Sequence, residues 1–536
     1  MTRTAHRSPP TRQRLRAGSR WIAAALCVAL AGPVAAPPAG AQNQLPALGD
    51  PASEDFSIAT ERKLGDAIMR EIYADPDYVD DPILLEYLQT VWQPLVAQAR
   101  VRGNISPDID QRLAWEPFLV RDSSVNAFAL PGGFVGVHLG LIAMTSTRDE
   151  LAAVLAHEMS HITQRHIARS IANSKHQTLI SLATLLVGVL AATRAGPSSA
   201  DAANAAIVGS QALGVQGQLN FSRDMEREAD RVGFAVMSGA GFAPGGMAAM
   251  FEKLDQSSRL NDGGGYPYLR SHPLTSERIG EARARLGTAP PVAPVSVLEH
   301  TAAQARSRVL MDVRFDALKR WQALDADRGA TSVADQLANA YESALASTLL
   351  RDWKRADASI DRALGLVRGS PRSDARAERA VVLLDVQSLL ARGEVARAVA
   401  ALSPYEGENS RPVLLMSTQA ALAAAPLAAS GNESLQQRGA ALQTWVAMHP
   451  RDSLAWTALS QVEERRNQPL RAVRADAESR VALDDLSGAV DRLQAGQRRM
   501  RNGAPVDFIE ASVIDARLRD VQTLLRQQKA DEKSLK

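Results

Sequence analysis

The chain has 536 residues, of which 46% are apolar and 22% charged, proportions that fit a globular protein and exclude a collagen-like, low-complexity or mostly disordered one. Aromatic residues make up only 4% and alanine is abundant, which favours helix over a β-sandwich or barrel. Lysine plus arginine (61) nearly balances aspartate plus glutamate (59), so nothing asks for a nucleic-acid partner, and the single cysteine, Cys27, excludes an intrachain disulfide.

Residues 1–41 read as a signal peptide. Arg3, Arg7, Arg12, Arg14, Arg16 and Arg20 come with no acid, an apolar run follows from Trp21 to Gly32, and small residues end it at Ala39 to Ala41. The apolar run is too short to span a bilayer as a helix. Its removal leaves 55 basic and 59 acidic groups and no thiol, which suits an oxidising compartment. Residues 42–286 hold the recognisable chemistry. Pro290, Pro291 and Pro294 mark 287–298 as a linker. Residues 299–536 show helical periodicity almost throughout.

Ala127 to His138 predicts a turn at Pro131-Gly132-Gly133, then a strand through Gly133, Phe134, Val135, Gly136 and Val137. That strand is either an edge that binds substrate by strand addition or a core strand. Asp149 to Arg169 predicts one helix, because neither glycine nor proline interrupts it. His157 and His161 stand at i and i+4 in His157-Glu158-Met159-Ser160-His161, so both imidazoles share one face and reach one zinc ion. Glu158 is about 100° round the helix, placed to act as a general base on water rather than as a ligand. Gln164 and Ile167 stand where a metzincin has glycine and histidine, and His166 reads as a solvated helix residue.

Residues 178–193 are uncharged but shorter than a spanning helix needs. A lid over the active site, a buried helix and a membrane-surface element remain open. Glu226 and Asp230 stand at i and i+4 on a further predicted helix. Glu226 completes a set of two histidines and one glutamate, and Asp230 supports a ligating imidazole from behind. Glu228 faces away from that pair. In the last region Ala356 with Ile360 and Ala363, Ala398 with Leu402, and Trp456 and Leu459 with Ala472 sit where two helices of a hairpin approach closely. Their spacing is irregular, as in a degenerate tetratricopeptide-like repeat. The fold class expected is therefore mainly α (α+β): a zincin-like metalloprotease domain with a small β element, then an all-α repeat domain.

Four stretches carry a resemblance: 124–142, 149–166, 220–234 and 271–279. Together they are similar to the zinc metallopeptidases that include HtpX and the CAAX prenyl proteases, and within them to the periplasmic, repeat-bearing branch. The resemblance implies one zinc ion per chain, held by His157, His161 and Glu226. It implies that His272 lies on a loop over the metal, either filling the fourth position in a low-activity state or stabilising an oxyanion. Arg278 is implied to position that loop or the substrate carbonyl. The clients implied are unfolded or misassembled envelope proteins, with the repeat domain docking outer-membrane β-barrel assembly machinery and chaperone-like activity beside proteolysis. Peripheral membrane contact through 178–193 comes second. The competing reading is a zinc-containing repeat scaffold that binds assembly partners without cutting.

Overall fold

A computed structural model describes residues 56–173, 222–260, 267–287, 297–327, 329–371, 374–424, 431–501 and 507–535. The signal segment, the 178–193 run and most of the proline-rich linker lie outside the described residues. The catalytic region comprises α1 (Ile58–Ala74), α2 (Pro82–Val101), α3 (Pro107–Arg112), α4 (Leu139–Met144), α5 (Arg148–Thr163), α6 (His166–Asn173), α7 (Arg223–Gly239), α8 (Gly245–Leu260), α9 (Pro267–Ser271) and α10 (Ser276–Arg285). Its strands are β1 (Tyr78–Val79), β2 (Glu116–Val120), β3 (Ala127–Leu130) and β4 (Phe134–His138).

The sheet order is β1-β2-β4-β3. β4 runs parallel to β2 and antiparallel to β3. Gly132 (φ 82°) and Gly133 (φ 89°) make the β3–β4 turn, in a backbone region that costs glycine little. The strand predicted for substrate binding is thus interior. Gly133 belongs to the turn, and Phe134, Val135, Gly136 and Val137 are buried with partners on both sides. Its ladder hydrogen bonds are already used, so strand addition there is corrected to a core role. The free edge beside the site is β3.

α5 is the centre of this region. Every residue from Glu150 to Thr163 is buried, since Ala152, Ala153 and Ala156 let neighbours approach and Leu151, Leu155, Met159 and Ile162 fill the core. Thr147 caps it by accepting from Glu150 N–H at 3.2 Å. The single helix expected from Asp149 to Arg169 is broken. α5 stops at Thr163, Arg165 takes φ 53°, and α6 restarts at His166. The left-handed Arg165 is held from outside the helix: its Nη2 donates to Phe56 O at 2.7 Å and lies 3.4 Å from Glu61 Oε2.

The rest is helical: α11 (Leu298–Met311), α12 (Phe315–Gln322), α13 (Val333–Leu349), α14 (Trp353–Arg368), α15 (Ala375–Ala391), α16 (Val395–Leu402), α17 (Arg411–Ala424), α18 (Gly431–Met448), α19 (Ser453–Arg465), α20 (Pro469–Ala482), α21 (Leu486–Arg501) and α22 (Phe508–Leu535). Consecutive helices pack as pairs, α13 on α14 and α19 on α20 among them. The small residues read as hairpin contacts, Ala356, Ala363, Ala398 and Ala472, are all buried.

α11 belongs to both halves. Ala303 joins the catalytic core, while Ala302, Ala305 and Val309 join the core of α13 and α14. Ion pairs from α11 and from later helices tie the C-terminal helical region to residues 80–86: Arg306–Asp81 at 2.6 Å, Arg379–Glu86 at 2.5 Å and Arg411–Asp80 at 2.5 Å. α22 closes onto α1 through Lys63–Asp531 and Arg70–Glu532, both 2.9 Å. Among the described residues no helix is long and apolar enough to cross a membrane.

Candidate metal centre

α5 and α7 set the geometry. A Cβ at Gly233 would lie 3.0 Å from the Ala156 carbonyl oxygen, so this glycine lets the two helices touch. Ser222 caps α7 by accepting from Met225 N–H at 3.2 Å. The first turn of α7 therefore presents Glu226 to α5, with Asp230 one turn on. The Ser271-His272-Pro273 turn between α9 and α10 supplies the remaining side.

His157, His161, Glu226 and His272 each offer one ligand atom, and these atoms lie within 4.8 Å of one another. His157 Nε2 is 3.0 Å from His161 Nε2, 3.3 Å from His272 Nδ1 and 3.4 Å from Glu226 Oε2. His272 Nδ1 is 3.0 Å from Glu226 Oε1. Asp230 Oδ1 accepts from His157 Nδ1–H at 2.9 Å. Arg278 donates to both Asp230 oxygens at 2.7 and 2.8 Å, to Pro273 O at 2.9 Å, and pairs with Glu226 at 2.8 Å. Its guanidinium is bonded to the centre's own framework: Asp230, Glu226 and the Pro273 carbonyl of the His272 turn.

Glu158 is not in the ligand group. Its Oε2 accepts from Ala129 N–H of the β3 edge at 3.0 Å, while Oε1 is buried with no hydrogen bond, 3.4 Å from His272 Nε2. Burial raises the Glu158 pKa, against the pull of His272 and His157. A carboxylate held by one oxygen, with the other bare and its proton affinity raised, is suited to take a proton.

The electrostatics fit a divalent cation. Glu158, Glu226 and Asp230 are buried beside one buried guanidinium, Arg278. With neutral imidazoles this leaves two negative charges uncompensated, a costly state in a low-dielectric interior. Without metal the cluster draws in protons: burial opposes it, but Glu226 and Asp230 raise the His157 pKa to about 10. Burial then lowers His161 well below its usual value, helped by His157 and His272. Glu226 is lowered despite burial, by the charges of His272 and His157. Nitrogen and carboxylate donors in this number suit zinc.

Two residues escaped the sequence reading. His166 is fully buried, not solvated. The break at Arg165 swings its Nδ1 to 3.0 Å from His161 Nδ1, and its Nε2 lies 3.0 Å from Glu228 Oε2. Tyr268 stacks on His272, ring centroids 4.7 Å apart, with its hydroxyl buried and making no hydrogen bond among the described residues. Glu228 does face away from the ligand group, as expected.

Two imidazoles one helical turn apart, a glutamate from a second helix and a separate buried carboxylate beside them form the kind of group found in a zinc metalloendopeptidase. Residues 86–286 match the model of peptidase family M48. The chain is 35% identical over 305 residues to a Vibrio cholerae protein described as a β-barrel assembly-enhancing protease, an alignment spanning 56% of this chain and 58% of that one. It is 29% identical to the β-barrel assembly-enhancing protease of Yersinia pestis, over 90% of this chain and 93% of that one. Against the Escherichia coli (strain K12) protein of the same name it is 26% identical, over 94% and 96% of the two chains.

Proposed function

We propose that the chain is an exported zinc endopeptidase of the periplasm that acts on misassembled envelope proteins, with a repeat arm that holds it near outer-membrane β-barrel assembly machinery. The observation that carries the peptidase reading is the buried ligand group beside a base whose Oε1 makes no hydrogen bond among the described residues. The assembly role rests on the names of relatives that align along nearly the whole chain. The division into residues 42–286 and 299–536, with a signal peptide at 1–41, is part of the proposal. So is chaperone-like activity beside cutting.

His157, His161 and Glu226 would hold zinc, which when bound supplies a Lewis acid for the scissile carbonyl. The chain's own residues do the rest. Glu158 Oε1 takes the proton from the attacking water and returns it to the leaving amide nitrogen. Asp230, locked by Arg278, orients the His157 ring. An extended substrate lies along the β3 edge, where Ala129 N–H now meets Glu158. His272 sits in the ligand group and blocks approach to it, which makes the resting enzyme slow. The non-cutting scaffold alternative is not favoured, because a structural site has no use for a bare base.

The test is zinc content and cleavage of an unfolded outer-membrane β-barrel protein by residues 42–536. Wild type should carry about one zinc per chain, Glu158→Gln should keep the zinc and lose cleavage, and His272→Ala should cut faster. Zinc bound with no cutting by any of the three would hand the reading to the scaffold.

A further inference from the structure

The two histidines of α5 are supported from behind in different ways. His157 leans directly on Asp230. His161 is backed on its Nδ1 side by another imidazole. Its Nε2 faces the ligand group, 3.0 Å from His157 Nε2 and 3.5 Å from Glu226 Oε1. Its other nitrogen, Nδ1, faces His166 Nδ1 at 3.0 Å. The two rings meet edge to face, centroids 5.0 Å apart. On the far side His166 Nε2 lies 3.0 Å from Glu228 Oε2, and Arg169 Nη1 donates to the same oxygen at 3.1 Å.

We infer that His166 is a positioning residue for zinc binding: an imidazole relay that links the ligand His161 to Glu228. Proton placement leaves one arrangement. A ligating nitrogen carries no proton, so a neutral His161 that ligates through Nε2 has its proton on Nδ1. It donates that proton to His166 Nδ1, which must then be bare. The His166 proton sits on Nε2 and is donated to Glu228. Every contact is then a donor meeting an acceptor, and the relay fixes both the tautomer and the ring angle of His161.

The backbone is bent to make this contact. On one unbroken helix His166, five residues after His161, would point well off the His161 face. The left-handed Arg165 and the restart at His166 turn the ring back under it. That conformation is unusual for a residue with a side chain, and Phe56 O and Glu61 hold it from α1 and its entry.

The inference rests on the zinc reading above, so its test separates the two. Full-length protein is stripped of metal and titrated with zinc against a chelator, with a cobalt(II) absorption spectrum as second readout. His166→Phe keeps the buried ring and loses both nitrogens. It should weaken zinc binding about 10- to 100-fold and alter the cobalt spectrum, and His166→Gln, which can accept and donate, should recover part of the loss. Glu228→Ala, at a half-exposed position that leaves the core intact, should weaken zinc in the same direction if His166→Phe does not fold. Zinc affinity within twofold of wild type in both His166→Phe and Glu228→Ala would overturn the relay. A wild-type chain that takes up no zinc at all would overturn the metal reading instead.

Discussion

Glu158 and Arg278 are both buried at the centre, yet their substitutions should separate cleanly. Glu158→Gln preserves shape and the bond from Ala129 N–H, and removes the proton acceptor. Cleavage should fall about 10²- to 10⁴-fold with zinc stoichiometry unchanged, and a parallel loss of zinc would make Glu158 a ligand. Arg278→Ala strips the counter-charge from Asp230 and Glu226 at once. Breaking a buried pair from one side costs about 3–5 kcal/mol, so thermal unfolding of the metal-free chain should drop while zinc binding weakens. A variant of wild-type stability would place the guanidinium in substrate contact after all. Helical spacing puts His157 and His161 on one face in the sequence, while Glu226 follows from its spacing to Asp230 together with the resemblance. The sequence could not display what Arg278 touches: that depends on how α10 meets α7, and no local pattern encodes a contact between residues 48 positions apart.

Helix ends and helix approaches were the least legible features. Periodicity ran through Arg165 because nothing in residues 149–169 breaks a helix by composition. The break is imposed by Phe56 and Glu61, far away in sequence. The same blindness hid the order of the sheet. A strand buried on both faces and an edge strand can share one apolar pattern, and only the parallel pairing with β2 puts Phe134 to Val137 inside. Gly233 is a case where tertiary closeness has a residue-level trace. Valine there must push the backbone of α7 from that of α5, since its Cβ has about 3.0 Å to the Ala156 carbonyl. Overpacking of this kind costs about 1–3 kcal/mol. Because Glu226 and Asp230 ride on α7, Gly233→Val should also lose zinc affinity, and Gly233→Ala should show a smaller loss of both. Urea unfolding and zinc titration of the pair measure this. Stability lost with zinc affinity intact would mean that the helices separate away from the metal end.

At the scale of the whole molecule, the C-terminal helical region grips α4, the helix that precedes α5. His300 Nε2 on α11 donates to Thr145 O at 2.9 Å, and its Nδ1 accepts from Tyr87 at 2.5 Å. Gln304 donates to Ala143 O and Thr145 O, both at 2.9 Å. These carbonyls end α4, two residues before the Thr147 cap of α5. The contact with Tyr87, in which Nδ1 accepts, requires a neutral imidazole; the donation to Thr145 O does not. Burial, reinforced by Lys253 and Arg148 against the bond to Thr145, lowers the His300 pKa to about 4. The unfolded chain takes up this proton near pH 6.5. Between about pH 6.5 and 4 the unfolded state therefore binds more protons than the folded one, and stability falls as pH falls, by at most about 1.4 kcal/mol per unit. His138 is also lowered to about 4, by burial, so wild type alone cannot assign the slope. His300→Gln retains a donor and an acceptor but does not titrate. Its unfolding midpoint should fall less steeply than that of wild type from pH 6.5 to 4, with the two curves converging in form above pH 7. Equal slopes would place the acid sensitivity at the other buried histidines lowered by burial, His138, His161 and His166, and leave α11 a passive strut. A reduced slope, accompanied by better zinc retention at pH 5, would show that the repeat region steadies the metal centre through the start of α5.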